Sequence, residues 1–182
     1  RLDVDGRLDL TFGKCGVAEV PVWGTPGLGV EIDAAGRIVV TGFFFDVGTH
    51  DPWGTYPWEP EYSGPVYGAA RLLADGSLDR AFSGDGLLEL DRATGLTSLG
   101  PVHASGSDGA MLAVADKPGP DYDTPVGLRH DTLGGLVRIA ADGTIDATYG
   151  GGFAQIGQGY YVENVGSVAD FAVDSLGRTV VA

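Results

Sequence analysis

The sequence predicts an all-β fold assembled from a repeated unit, and two observations carry that expectation. The first is a segment that occurs three times: Arg1-Leu2-Asp3-Val4-Asp5-Gly6-Arg7-Leu8-Asp9-Leu10-Thr11-Phe12-Gly13, then Arg71 to Ser83, then Arg138 to Gly150. Its spacing of about 65 to 70 residues gives a unit long enough for a small antiparallel sheet and too small to bury a core alone. The second is glycine, 31 residues of 182, falling mostly between short apolar runs. Many tight turns joining many short strands produce that pattern, and few segments carry helical periodicity.

The elements follow in chain order. After the first Phe-Gly turn come strand signals at Val17–Val22 and Leu28–Ile32, a hairpin turn at Asp33-Ala34-Ala35-Gly36, then Arg37–Phe45 and Val66–Leu73. The second unit offers Leu87–Asp91, Pro101–Ala104, Ala110–Ala115 and Leu136–Ala140; the third offers Phe153–Ile156, Val168–Val173 and Thr179–Ala182. Four antiparallel strands at this period fit a blade of a β-propeller, each blade packing its faces on its neighbours. The expected division is 1–16 for the end of a preceding blade and its link, 17–86 and 87–152 for two blades with links, and 153–182 for a partial blade. The Asp-Gly pairs at Asp5-Gly6, Asp75-Gly76 and Asp142-Gly143 then act as links between blades, with Leu8, Phe12, Leu78, Phe82, Ile145 and Tyr149 buried as bolts.

The pattern Arg-Leu-x-x-Asp-Gly-x-Leu-Asp-x-x-Phe-Gly, followed some twenty residues later by Asp-x-x-Gly-Arg-Ile-Val-Val-x-Gly, resembles the delta-60 repeat family over nearly the whole chain. The resemblance implies a propeller-forming bacterial repeat, exported to the cell surface or beyond, and it brings no catalytic residues to transfer. Asp46–Pro65 and Lys117–Gly134 are insertions relative to that pattern, the kind of departure in which individual function resides. About three units are fewer than the four or more blades of a closed ring, so an open arc is expected. Its exposed edges would be covered by remaining blades or by a second copy.

Strand alternation places the Asp-Gly links and the Asp33-x-x-Gly36 hairpin on one side, and the variable segments opposite: 23–29, 50–62, 92–100, 118–131 and 157–166. The segment His50–Tyr62 sets Trp53, Tyr56 and Trp58 beside Asp51, Glu59 and Glu61. With Tyr62, these flat aromatic and hydrogen-bonding groups suit a sugar ring or a protein partner, unless the rings fold back over the outer strand. Asp3, Asp5 and Asp9 have the oxygen spacing of a calcium loop. The equivalents of Asp3 are Leu73 and Ala140, so a turn alone accounts for what the copies share; no other cofactor is expected.

A net charge of -14 with dispersed cations argues against nucleic acid, and no apolar run is long enough to cross a bilayer. Cys15, alone, is expected to be a half-buried turn residue. His50, His103 and His130 are far apart, two of them followed by Asp in the insertions, and read as exposed polar loops. No nucleophile elbow or phosphate-cradling loop is present, and Ser105-Gly106-Ser107-Asp108-Gly109 reads as a hairpin turn. The leading expectation is a non-enzymatic module binding a protein or glycan; the rival is part of a propeller enzyme, which requires ionisable groups from several blades to converge.

Overall fold

The computed structural model describes residues 1–20, 29–44, 66–90, 94–124, 127–159, 170–174 and 178–181. The fold is all-β, and among the described residues the one helical turn is 3-10, at Gly150–Gly152. Among the described residues ten strands form three antiparallel sheets. The first is β1 (Gly29–Ile32), β2 (Ile38–Phe44), β3 (Val66–Leu72) and β4 (Leu87–Glu89), in that order. The second is β5 (Ser98–Ala104), β6 (Met111–Thr124), β7 (Gly127–Ile139) and β8 (Ala154–Gly159); the third pairs β9 (Phe171–Val173) with β10 (Thr179–Val181). No sheet closes on itself among the described residues.

The grouping differs from expectation by one strand. Leu87–Glu89 pairs with β3, Ala70 opposite Leu87, and thus ends the first sheet instead of opening the second. Likewise β8 pairs with β7. The Asp-Gly segment therefore joins the third and fourth strands of one sheet, and the chain passes to the next sheet through residues 90–97. Val17, expected to open a strand, makes a single bridge to Lys14. The cause of the regrouping is local: the chain doubles back through Leu72↔Leu78 and Ile139↔Ile145, which aims the following residues along the strand just left. The assignment of sides survives, because third-to-fourth and first-to-second connections share one end of an antiparallel sheet.

Packing explains why the second sheet is apolar on both faces. Met111, Ala113 and Ala115 of β6, with Val137 and Ile139 of β7, join Val39, Ala69 and Phe82 in one core. The alternate residues Leu112, Val114 and Leu136 join Phe171 in a second core on the other face. A strand alternates its side chains between faces, so a continuous apolar run such as Ala110–Ala115 belongs to a sheet covered on both sides. Each fully buried aliphatic or aromatic side chain here contributes about 1.5–3 kcal/mol. Close approach is needed between sheets one and two. A Cβ on Gly29 would lie 2.9 Å from Thr41 Oγ1 and 3.0 Å from the Cα of Pro101, and Thr41 Oγ1 donates across the boundary to Gly100 O at 2.7 Å.

The repeated motif fastens sheets together. In the second copy Arg71 is 1% exposed. Its Nε donates to Asp79 Oδ2 at 2.8 Å, its Nη1 donates to Ala141 O at 2.6 Å, and its guanidinium lies 4.6 Å from the Phe82 ring centre. The first copy repeats the scheme: Arg1 Nε donates to Asp9 at 2.9 Å, Nη1 donates to Ala74 O at 2.6 Å, and the guanidinium sits over Phe12. A backbone bond runs beside each, Gly13 N to Asp75 O at 2.6 Å and Ser83 N to Asp142 O at 2.7 Å. Gly76 and Gly143, both at φ 89, leave room for this, since a Cβ on either would come within 3.0 Å of Phe12 or Phe82. The arginine joins its own hairpin to the next copy's turn, a role the sequence did not disclose. The bolts are corrected in part: Phe12 (5%) and Phe82 (0%) are buried, whereas Leu8 is 54% exposed.

Candidate functional site

Two places on this framework gather chemistry. The first lies where the leading strands of the three sheets approach one another. Glu31 stands on β1, His103 on β5 and Asp170 immediately before β9. His103 Nδ1 is 3.5 Å from Glu31 Oε2 and Nε2 is 3.3 Å from Asp170 Oδ1, while the ring meets Phe171 edge-on at 4.8 Å. Glu31 and His103 each sit two residues before the turn that ends their strand, at Asp33 and Ser105, and that common register turns both to the same side. Asp170 accepts the Phe171 N–H at 2.8 Å, and this bond, followed by His103, holds its carboxyl below the usual carboxylate range.

The imidazole is flanked by acceptors on both sides. A neutral ring can donate from one nitrogen only, so engaging both carboxylates at once requires the imidazolium. Separations of 3.3–3.5 Å are longer than a tight charge-assisted hydrogen bond. The His103 side chain is 38% exposed, so the space between the carboxylates opens to solvent. Sequence reasoning named His103 as an isolated histidine and missed Glu31 and Asp170. The available signal was register: each ends or begins a leading strand.

The second place is a two-stranded arm. β6 and β7 run on beyond β5 and β8: Lys117↔Leu133 and Pro118↔Thr132 are still flanked by Gln158 and Gly159 of β8, while Asp121↔His130, Tyr122↔Arg129, Asp123↔Leu128 and Thr124↔Gly127 are paired to each other alone. The register shifts between Pro118 and Asp121, as expected for a run with two prolines that have no N–H to donate. The two-stranded part, from residue 119 to 124, spans about 20 Å. The segment 118–131 of the 117–134 insertion, expected to be a loop, is thus paired strand over 118–124 and 127–131. His130 lies on a paired strand, and Asp131, expected on an exposed loop, is 3% exposed at the base of the arm beneath Gly119.

The remaining expected residues have definite places. Trp53, Tyr56, Trp58, Glu59, Glu61 and Tyr62 lie outside the described residues, as does His50. Asp3 Oδ1 accepts the backbone N–H groups of Asp5 and Arg7 at 2.9 and 2.8 Å; Asp5 faces Arg7 at 3.3 Å. Asp9 accepts Thr11 and Arg1, which together hold its carboxyl down to about 2. Each carboxylate is thereby accounted for within its own turn, and no metal-holding group of three or more His, Cys, Asp or Glu occurs among the described residues. Cys15 is exposed at φ 56, in a turn as expected but not half-buried. An open groove of about 570 Å³ runs beside the second motif, lined by Ser77, Leu78, Arg80, Gly84 and Asp85. No helix of the described residues is long and apolar enough to cross a membrane. No protein-family model, no curated protein and no solved structure matches the chain.

Proposed function

We propose that this chain is an arc of propeller blades, of the delta-60 repeat type, in an exported or surface protein, and that it binds a protein or glycan through the end of the sheets opposite the Asp-Gly turns. The β6–β7 arm carries this reading. A paired ribbon extending about 20 Å past its own sheet adds nothing to the core described above. Along it stand Asp121, Tyr122, Asp123, Arg129 and His130, residue types suited to polar and stacking contacts. The insertion 46–65, with Trp53, Tyr56 and Trp58, falls in sequence between β2 and β3 and lies outside the described residues. Replacing residues 119–130 by a two-residue Asn-Gly turn should leave the unfolding midpoint within a few degrees and abolish capture on a glycan array or by a bait protein. Undiminished binding by the shortened protein would refute the role of the arm.

The convergence at His103 favours a second reading, a ligand or proton-transfer site where the sheets meet. That is the arrangement an enzyme would require, ionisable groups supplied by three successive sheets. Under this reading His103→Ala removes activity or small-ligand binding while the arm deletion leaves it intact, so the two variants assign the function to one place or the other.

A further inference from the structure

Two kinds of basic side chain tie successive sheets together. At the end of β3, Arg71 bonds Asp79 beside it and Ala141 O of the next copy of the motif. A guanidinium keeps its charge at every pH a folded protein meets, so that tie is permanent. Along the leading strands the joining group is an imidazole. His103 on β5 sets Nδ1 3.5 Å from Glu31 Oε2, on β1 of the sheet before, and Nε2 3.3 Å from Asp170 Oδ1, beside β9 of the sheet after.

The two nitrogens face opposite ways across the ring, and a neutral ring has one hydrogen to give. Given to Glu31, it leaves the lone pair of Nε2 against Asp170; given to Asp170, it leaves that of Nδ1 against Glu31. In either case two acceptors confront each other, and one added proton satisfies both contacts. The Asp170 carboxyl, held below the usual range by the Phe171 N–H and then by His103, stays ionised wherever imidazoles titrate. Of the other described elements packed on β5, β6 places Leu112 opposite His103 and β9 brings the Phe171 ring edge-on. β2 has no charged residue, and Arg71 of β3 is bonded to Asp79. The charged residues of the adjoining turns bond one another, Arg37 with Asp33 and Arg138 with Asp108 and Asp146. Among the described residues His103 has no third charged neighbour within ion-pair distance.

We propose that His103 is a proton-operated latch between the three sheets: charged, it ties β5 to Glu31 and to Asp170 at once; neutral, it releases one of them and the leading strands part more readily. The array is thereby stiffer in mildly acidic than in mildly alkaline surroundings. Neither the arm nor a bound ligand enters the inference. Folding brings two carboxylates to a ring that the unfolded chain leaves in water, so the folded chain takes up protons in the histidine range. Stability therefore falls as pH rises through that range, from about 5.5 to about 8.

Urea unfolding of the wild-type chain and of His103→Gln between about pH 5.5 and about pH 8.5 tests the latch, with amide exchange read on β1 and β9 in the same samples. At the acid end the unfolding constant of His103→Gln should exceed that of wild type by about twofold to fivefold, the range of a half-exposed ion pair. Toward the alkaline end the gap should close, and exchange on β1 and β9, corrected for the intrinsic rate, should follow the same course. His50 and His130 are present in both proteins and cancel in the difference. Glu31→Gln and Asp170→Asn should each reduce the slope of stability against pH, which keeps the test decisive if the His103 variant fails to fold. A penalty for His103→Gln that is equal at every pH, the mark of a ring that only packs against Phe171, overturns the proposal. So does a slope that both carboxylate variants leave intact.

Discussion

The first and second copies of the motif have nearly the same sequence and very different surroundings. Arg71 and Asp79 form their pair with side chains 1% and 9% exposed; Arg1 and Asp9 form the same pair at 38% and 23%. Leu72 is 4% exposed and Leu2 is 62%. Local geometry is identical in both, with the same backbone bridge, the same Asx-type bond from the second aspartate and the same guanidinium over the ring. The motif thus folds itself, while its energetic weight is conferred by the sheets on either side. This is the behaviour of a linear array, in which stability is shared between intrinsic terms and neighbour interfaces.

The sharpest way to break that comparison is at the arginine. Arg71→Ala leaves the Asp79 carboxylate buried without its cation and should destabilise the protein by about 3–5 kcal/mol in urea unfolding. Arg1→Ala should have a small effect, as exposed pairs do. Equal losses would mean that the contact to the following turn, which both arginines make, outweighs burial. Next in size is the aliphatic pair: Leu72→Ala should cost about 2–4 kcal/mol and Leu2→Ala less than about 0.5 kcal/mol by the same measurement. The glycines sharpen the point further. Gly6→Ala introduces only the strain of a positive φ, about 1–2 kcal/mol, whereas Gly76→Ala adds a Cβ 3.0 Å from the Phe12 ring and should be clearly worse.

Acid titration gives the smallest effect and separates the exposed copies from the rest. Thr11 and Arg1 hold Asp9 down to about 2, and Thr148 and Arg138 do the same for Asp146. A carboxyl whose folded value lies below the unfolded one, about 3.9, stabilises fully above that value. The contribution is lost as pH falls through about 2. Thermal unfolding followed from about pH 5 to about pH 1.5 should therefore decline less steeply in Asp9→Asn and Asp146→Asn, and curves superimposable on wild type would remove both groups from the acid response.

The strands were legible because their signals are local. Ile38–Phe44, Val66–Leu72 and Thr179–Val181 end within a residue or two of the boundaries read from apolar runs and turn residues. Their partition into sheets was not legible, because Leu87–Leu90 carries no mark of which neighbour it will pair with; that is settled by the doubling back of the chain at Leu72↔Leu78. The arm stands out in the sequence only as an insertion relative to the repeat pattern, while its pairing depends on register across two strands. The site at His103 escaped for a related reason. Glu31 and Asp170 are distant in sequence and ordinary in type, and only the stacking of leading strands brings them together. Arg71 was visible as a repeated letter, but its acceptor Ala141 O is a backbone atom and leaves no trace in composition.

One consequence follows from where the motif sits within its sheet. The covalent thread crosses from the first sheet to the second at residues 90–97, near one end of the strands, while the arginine and backbone bonds from Arg71 and Ser83 cross at the other. Adjacent sheets are thereby clasped at top and bottom by independent means. The junction between the two sheets therefore does not depend on the connecting peptide alone.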